Sequence, residues 1–241
     1  MARTVIFTDL DDTLIQTQGK VPEHALTLLG ATDKNGYPLS FFTQSQKMML
    51  GLFEKSGAII IPVTGRNTDA LNRVVYEFDN YRAVSHGAVV LKDKELICDN
   101  WLNEIGKELD EWRELMQICN LEIQQTIDSN QLDARTRVII DQNVPAYISI
   151  KGKEDALSFI KGNNRFGDKF RRHENGRNHA LLPPYASKKK AVEYIMKRLE
   201  LDVNDLIVGV GDSLSDLEFM QSCQFAMLPN NSQIANKVVY V

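Results

Sequence analysis

The chain has 241 residues, of which 43% are hydrophobic and 25% are charged, and it carries a formal net charge of −4 at pH 7. This is enough apolar material for a substantial buried core, in one large domain or in a main domain with a smaller partner. A mildly acidic chain is a poor generic binder of nucleic acid, because a basic face supplies most of that affinity. An anionic substrate would need a compensating device such as a metal ion.

In the first 86 residues, short β-branched runs alternate with helical patterns, which is typical of a parallel α/β sheet. Residues 5–7 form a continuous apolar run, as expected of a central strand covered on both faces. Asn35-Gly36 is a turn signal that indicates a small hairpin. Residues 58–63 predict a second buried strand, and a third short strand begins at Ala83.

Two helices are predicted between these strands. The first covers residues 45–56 and ends at Gly57, and its apolar side is formed by Met48, Met49, Leu52 and Phe53. The second is indicated by an apolar stripe with helical spacing, formed by Leu71, Val74, Val75 and Phe78.

The middle of the chain, about residues 87–183, has an antiparallel character. Residues 89–91 and 95–98 flank a polar turn at 92–94, and residues 137–140 and 146–150 predict a second hairpin. Residues 153–160 predict a helix. A long amphipathic helix precedes them, with a stripe formed by Leu102, Ile105, Leu109, Trp112 and Met116.

The α/β pattern returns at the end of the chain, with helices at 188–199 and from 215 to 220 and strands at 206–210, 225–227 and 238–241. We therefore predict an α/β fold, in which a Rossmann-like parallel sheet core carries an inserted α+β cap domain. The core is discontinuous and covers residues 1–86 and 184–241, and the cap covers residues 87–183.

Cysteine usage and the N-terminus indicate the compartment. Three widely spaced cysteines without a CxxC pair argue against a disulfide framework or a zinc site and favour reduced thiols. The N-terminus runs directly into an apolar strand, so no signal peptide is expected. No apolar run approaches the roughly 20 residues that span a bilayer. We expect a cytoplasmic protein that binds neither nucleic acid nor membrane, and the oligomeric state stays open.

Acidic and hydroxyl side chains follow three of the predicted strands, where ligands bind in open α/β sheets. Asp9 and Asp11 follow the first strand, and paired carboxylates can bind a hard cation or divide the roles of nucleophile and general acid/base. Thr64 follows the second strand, where its hydroxyl could hold a phosphate oxygen. Asp212 and Asp216 follow the strand at 206–210.

Each motif alone has a plainer interpretation. The acidic loop could simply be solvated, the segment at Thr64 could be an ordinary strand-to-helix turn, and Asp212 or Ser215 could cap the following helix. Lys188 alone would be interpreted as a surface lysine. Four such motifs in one order are much more specific than any one of them.

That order is Asp-x-Asp-x-Thr, Thr-Gly-Arg, Lys and Gly-Asp-x-x-Ser-Asp, and it resembles the haloacid dehalogenase superfamily of phosphatases over residues 4–86 and 185–230. The insert lies between Thr64 and Lys188, which is the place of a C2 cap. With Ser85-His86-Gly87-Ala88 leading into it, the chain is similar to the subclass IIB enzymes, which include Cof-type sugar phosphatases and sucrose-phosphate phosphatases.

The resemblance implies a Mg²⁺-dependent phosphatase. Asp9 would attack phosphorus and become a phosphoaspartate, and Asp11 would protonate the leaving alcohol and then activate water. Thr64 would bind a phosphoryl oxygen, and Lys188 would neutralise Asp9 and the phosphate. Lys188 is chosen over Lys189 and Lys190 because Ser187-Lys188-x-x-Ala191-Val192 best matches the family's Lys-Gly-x-Ala-Leu pattern. The implied metal site consists of Asp9, the Asp11 carbonyl and Asp212, with Asp216 as a ligand or directly behind the ligands.

The remaining predicted site residues concern the substrate, which the cap is expected to enclose. The substrate would be a small phosphorylated molecule, a sugar or sugar acid, and sucrose phosphate is not separable from other sugar phosphates. Three positions depart from the pattern of many family members, with Asp12 and Lys189 in place of Gly and His86 in place of Asn, although sucrose-phosphate-phosphatase-like members also carry Asp at position 12. The substrate-binding candidates are Thr13, Gly65, Arg66, His86, Arg177, Asn178 and His179.

Two other functions remain open at this point. A phosphomutase of the same superfamily would retain the phosphoryl group and need a bisphosphate activator. A non-catalytic module would only bind phosphorylated ligands. Receiver domains also order an acidic pair, a Thr and a Lys, but they lack the large insert and the Gly-Asp-x-x-Ser-Asp segment.

Overall fold

The computed structural model describes residues 2–92 and 96–238. The chain forms two compact units, the first made of Met1–Ile97 with Lys188–Val241 and the second of Cys98–Ser187. The predicted boundaries between core and cap fall at residues 86/87 and 183/184, whereas the boundaries between the two compact units fall at residues 97/98 and 187/188. The physical reason for the first difference is strand pairing, which attaches residues 89–92 and 96–97 to the first unit.

The first unit begins with ten elements: β1 (Thr4–Thr8), β2 (Gln16–Thr17), β3 (Thr27–Thr32), β4 (Pro38–Thr43), α1 (Gln44–Lys55), β5 (Ile59–Pro62), α2 (Thr68–Leu71), β6 (Arg82–Val84), β7 (Val89–Lys92) and β8 (Leu96–Ile97). The second unit contains α3 (Asp99–Ser129), β9 (Ala134–Asp141), β10 (Val144–Gly152), α4 (Glu154–Asn163), β11 (Arg171–Asn175) and β12 (Asn178–Leu182). The first unit then resumes with α5 (Lys188–Arg198), β13 (Leu206–Val210), α6 (Leu214–Met220), β14 (Phe225–Met227) and α7 (Gln233–Val238).

A parallel sheet in the order β14-β13-β1-β5 is the centre of the first unit. In the central strand β1, Val5, Ile6 and Phe7 are at most 1% exposed, because both faces of the sheet are covered. A parallel bridge between Val63 and Ala83 continues the pairing from β5 toward β6. Since the strands run in one direction, their carboxyl ends meet at one edge. The predicted α/β fold class is confirmed.

Two small antiparallel sheets, β2-β4-β3 and β6-β7-β8, complete the strands of the first unit. The hairpin predicted at Asn35-Gly36 is the β3–β4 pair, and Gly36 has the positive φ of 87° that its turn requires. In the hairpin predicted around residues 92–94, β7 pairs with β8 as expected. Residues 93–95 lie outside the described part of the chain.

The predicted helix at 45–56 is confirmed as α1, which begins with a capping box between Thr43 and Gln46. Its apolar side is not uniformly buried: Met48 and Leu52 are 64% and 68% exposed, and Leu50 is the buried residue of the helix. Spacing alone therefore identified the helix but not which side chains it buries.

The prediction of a helical stripe from Leu71 to Phe78 is wrong beyond Leu71. α2 ends there, and Val74 forms an antiparallel bridge with Ala31 of β3. The Val75 amide donates to the Gly30 carbonyl, and the Thr32 amide donates to the Arg73 carbonyl. These backbone bonds to β3 replace the ones that a continued helix would make, and they leave Val75 56% exposed.

At the end of the chain, β14 confirms the predicted strand at 225–227. The strand predicted at 238–241 is not present at Val238, which ends α7, and residues 239–241 lie outside the described part. None of the helices in the described ranges combines the length and the apolar character needed to cross a membrane.

The second unit is an antiparallel sheet in the order β11-β12-β10-β9 with α3 and α4 packed against one face. Its buried core includes Met116 and Ile123 of α3, Ile148 of β10, Leu157 of α4 and Leu181 of β12. The predicted β9–β10 hairpin is present. The β11–β12 hairpin was not predicted, because β11 has the polar sequence RRHEN and shows no apolar alternation.

Candidate active site

The candidate site is built where β1 and β13 end. Asp9 directly follows β1, and its amide donates to the carbonyl of Val210, the last residue of β13, at 2.8 Å. Asp212 and Asp216 come from the loop and helix that follow β13. The carboxylates of Asp9, Asp212 and Asp216 place oxygens within 4.8 Å of one another. The sheet thus brings Asp9 next to two acids, Asp212 and Asp216, that lie about 200 positions further along the chain.

Lys188 is the cation of this acidic group. Its Nζ lies 2.7 Å from Asp9 Oδ1 and 2.7 Å from Asp216 Oδ1, and the lysine side chain is only 8% exposed. Lys188 is the first residue of α5, and its neighbours Lys189 and Lys190 are exposed. Lys188, the lysine selected from the sequence, is therefore the one of these three that contacts Asp9.

The electrostatics show an excess of negative charge. Burial raises the pKa of Asp9 well above its usual value, against the attraction of Lys188. Burial, Asp216 and Asp12 raise the pKa of Asp212 to about 6. Burial works against ionisation of Asp216 as well, but Lys188 and hydrogen bonds from Ser213 outweigh it, so the pKa of Asp216 is lowered. One ammonium group faces three carboxylates.

Asp216 has both of its oxygens engaged. Oδ1 accepts from Lys188, and Oδ2 accepts from the amide of Ser213 at 2.9 Å and its hydroxyl at 2.7 Å. Ser213 and Asp216 form the capping box of α6, so the cap residue is Ser213 rather than Asp212 or Ser215. A Ser-x-x-Asp pattern at 213–216 is the sequence signal that could have identified it.

The loop after β1 is tightly turned. The Asp12 amide donates to the Ile15 carbonyl, and Asp12 adopts a positive φ of 65°. Aspartate is one of the few residues besides glycine that adopt this conformation with small strain. Thr13 Oγ1 donates to Asp212 Oδ1 at 3.2 Å. Thr13 therefore connects the acidic loop to Asp212.

Asp11 lies in the same loop and is paired with Arg66. Arg66 Nε lies 2.8 Å from Asp11 Oδ2 and the terminal nitrogen lies 2.7 Å from Oδ1, which is the two-pronged geometry that suits guanidinium and carboxylate. Arg66 is only 10% exposed at its side chain, whereas Asp11 is 46% exposed. Sequence reasoning proposed Arg66 as a substrate contact and missed this ion pair, for which the chain carries no local signal.

The segment Thr64-Gly65-Arg66 is held by the turn at residues 85–87. The His86 amide donates to the Thr64 carbonyl at 2.9 Å, and the Ser85 amide donates to the Arg66 carbonyl at 2.7 Å. The imidazole of His86 lies directly against Gly65, where an added Cβ would come within 2.6 Å of the ring carbon Cε1. Ser85, His86 and Gly87 all have positive φ.

The three candidates from the second unit do not share one site. Asn178 and His179 are successive residues of β12, so their side chains lie on opposite faces of the sheet. Asn178 and Arg177 line a hollow with Arg135 and Lys151. His179 lies on the helix-covered face with Lys161 and Glu174. The other predicted site residues, among them Asp9 and Asp216, belong to the first unit.

A family model and several solved structures match the chain. A sequence model of haloacid dehalogenase-like hydrolases matches residues 6–239. The chain resembles the solved C-terminal domain of Candida albicans trehalose-6-phosphate phosphatase, with 13% identity and a TM-score of 0.61 over 91% of this chain and 73% of that one. It also resembles protein 0175 of Thermoplasma acidophilum, with 14% identity and a TM-score of 0.57 over 99% and 90%. No curated protein matches the sequence.

Proposed function

The chain belongs to the haloacid dehalogenase-like hydrolases, and from this premise we propose that it is a Mg²⁺-dependent phosphatase that cleaves a phosphate monoester through a phosphoaspartate on Asp9. The observation that carries the proposal is the contact of Lys188 with Asp9 at 2.7 Å beside Asp212 and Asp216. A buried carboxylate at the edge of a parallel sheet, held by a lysine and adjoining further acids, suits attack on a phosphoryl group.

The donor set fits a hard divalent cation. Carboxylate oxygens are the ligands that Mg²⁺ prefers, and Asp9 and Asp212 both have raised pKa values, which marks charge that a cation would neutralise. Asp9, Asp212 and the Asp11 carbonyl would hold it. Asp216, whose two oxygens are already engaged, would position Lys188 and Ser213. When bound, Mg²⁺ would offset the repulsion between the carboxylate and the phosphate.

In the first half-reaction, an oxygen of Asp9 forms a bond to phosphorus while the bond from phosphorus to the ester oxygen breaks. Asp11 supplies the proton that the leaving alcohol needs. In the second half-reaction, Asp11 takes a proton from water, whose oxygen attacks phosphorus and releases Asp9 and inorganic phosphate. Arg66 occupies one lone pair on each oxygen of Asp11, and each oxygen retains a second one for this proton. Thr64 and Lys188 bind the phosphoryl oxygens.

The substrate we propose is a sugar phosphate. The sequence resemblance to sugar phosphatases supports this class, and one solved relative is named a trehalose-6-phosphate phosphatase. Cys98, Cys119 and Cys223 are thiols and not disulfides, which supports the proposal of a cytoplasmic enzyme. The second unit, as a cap, would supply the contacts that choose among sugars.

The test is phosphate release from a panel of sugar phosphates, with Mg²⁺ and with EDTA, by the intact protein and by Asp9→Asn and Asp11→Asn. We expect release that requires Mg²⁺ and is lost in Asp9→Asn. Transfer of phosphate between positions of one sugar without release, dependent on a bisphosphate, would show a phosphomutase instead. Binding of sugar phosphates without turnover would show a non-catalytic module.

A further inference from the structure

Gln46, the third residue of α1, contacts the acidic loop as well as the start of its own helix. Its Oε1 accepts from the amide of Thr43 at 2.8 Å, which is one half of the capping box. Its Nε2 donates to the carbonyl of Thr13 at 2.9 Å, across 33 positions of chain. This half-buried side chain therefore joins the first turn of α1 to the loop that carries Asp9 and Asp11.

The two ends of the Gln46 amide are assigned by their partners. The Thr43 N–H can only donate and the Thr13 carbonyl can only accept, so the oxygen faces Thr43 and the nitrogen faces Thr13. For the capping box alone a glutamate would serve equally well, because the box uses an acceptor at this position and a negative charge suits the start of a helix. The contact with Thr13 is the one for which glutamate could not substitute.

Thr13 connects this contact to the proposed metal site. Thr13 is only 2% exposed, and its hydroxyl donates to Asp212 Oδ1 at 3.2 Å. The amides of residues 12–15 donate to Leu10 and Ile15 and so fix the shape of the loop. Within residues 2–92 and 96–238, no donor besides Gln46 reaches the Thr13 carbonyl. Because a buried carbonyl without a donor is costly, the place of Thr13 beside Asp212 depends on Gln46.

We propose that Gln46 is a positioning residue of the Mg²⁺ site. It fixes the place of Thr13, and the Thr13 hydroxyl in turn orients the carboxylate of Asp212. Gln46 itself touches neither the metal nor the substrate. Removal of such a partner behind a metal ligand weakens metal binding or activity by roughly 10- to 100-fold. The inference rests on the proposed function, because it takes Asp212 as a ligand of Mg²⁺.

The experiment is a titration of the full-length, metal-free protein with Mg²⁺ in a calorimeter, without substrate. Gln46→Met removes the donor without adding charge, and we expect it to raise the Kd for Mg²⁺ about tenfold. Gln46→Glu keeps the helix cap but turns an acceptor toward the Thr13 carbonyl. It should also raise the Kd, although an added negative charge by itself would lower it. Gln44→Met, at an exposed glutamine that begins the same helix, is the matched control and should leave the Kd unchanged.

Thr43→Val separates the helix cap from the contact with Thr13. It removes the hydroxyl that accepts from the Gln46 amide at 3.4 Å but keeps the Thr43 N–H that holds Oε1. This variant should therefore unfold at lower urea concentration and bind Mg²⁺ as the intact protein does.

The possible results distinguish this inference from the proposed function. An unchanged Kd in Gln46→Met, tighter binding in Gln46→Glu, or an equal loss of affinity in Thr43→Val and Gln46→Met would each overturn the role of Gln46 and leave the phosphatase proposal in place. Absence of Mg²⁺ binding by the intact protein would contradict the metal site of the proposed function, and the role of Gln46 with it.

Discussion

Arg66 holds the carboxylate of Asp11 through two hydrogen bonds of 2.8 and 2.7 Å, although the two residues lie 55 positions apart. Arg66 is mostly buried, and it also donates toward Ser40 and the Ala70 carbonyl. The burial and the pair of bonds fix the orientation of an otherwise half-exposed acid. In the proposed reaction, this arginine determines where the proton donor of the first step stands.

Replacement of Arg66 by Lys should lower kcat by roughly 10- to 100-fold, with a smaller change in KM, because a lysine cannot make both bonds and Asp11 loses its orientation. The measurement is steady-state kinetics on the best ester of the panel. Arg73→Lys is the control, since Arg73 donates to the Asp69 carbonyl on the neighbouring helix. A large rise in KM at unchanged kcat would show that Arg66 binds substrate instead.

Lys188→Met should abolish activity and lower the free energy of unfolding by about 3 to 5 kcal/mol, because it leaves Asp9 and Asp216 buried without their cation. Urea denaturation at pH 7.5 measures this. The deficit should shrink as the pH falls, since protonation removes the unpaired negative charge and the pKa of Asp9 is already raised. Lys189→Met, on the exposed neighbour, should change stability by less than about 1 kcal/mol. An equal effect in both variants would contradict the assigned role of Lys188.

Gly65→Ala should destabilise the protein by about 1 to 3 kcal/mol, because the new methyl group would meet the imidazole of His86. Combination with His86→Ala should recover part of this loss, so the double-mutant cycle should give a coupling of about 0.5 kcal/mol or more. Gly51→Ala in α1, where nothing lies within 4 Å of the added Cβ, is the control and should stabilise by up to about 1 kcal/mol. Additive effects of Gly65→Ala and His86→Ala would show that the ring does not support this loop.

Mg²⁺ should raise the unfolding temperature of the protein, because a ligand that binds only the folded state stabilises it by about 2.7 kcal/mol at one hundred times its Kd. Asp212→Asn should remove most of this shift, since it deletes an acid of the three-carboxylate group. Differential scanning fluorimetry with and without Mg²⁺ measures both. Asp110→Asn, on the exposed side of α3, should keep the full shift. A shift that survives Asp212→Asn would place the metal elsewhere.

Cys119 and Cys223 should alkylate slowly in the folded protein. Burial raises the pKa of the Cys119 thiol to about 11 and that of Cys223 to about 12. Since thiolate is the reactive form, their reaction with iodoacetamide at pH 8 should be at least about 100-fold slower than in the urea-unfolded chain, whose cysteines have pKa values near 8.5. Mass spectrometry of each peptide over time gives the rates. Similar rates in the folded and unfolded protein would contradict the raised pKa values of these two thiols.

The sequence by itself determined the parallel core, the inserted unit and the positions of the acidic motifs. Continuous apolar runs such as residues 5–7 and polar residues directly after them are local signals, since burial of a central strand and exposure of its end follow from neighbouring residues. Lys188 was proposed differently, from the resemblance of residues 187–192 to a family pattern, because a single lysine carries no local signal of its own.

Only the tertiary structure decided which groups meet. Lys188 contacts Asp9 across 179 positions of chain, Arg66 pairs with Asp11, and Val74 pairs with Ala31 instead of continuing a helix. Asn178 and His179 lie on opposite faces of β12 because side chains alternate along a strand. The pairing of β12 with β10 and the packing of the helices decide which of these two faces is covered. Such contacts depend on packing between distant segments, and no periodicity within one segment encodes them.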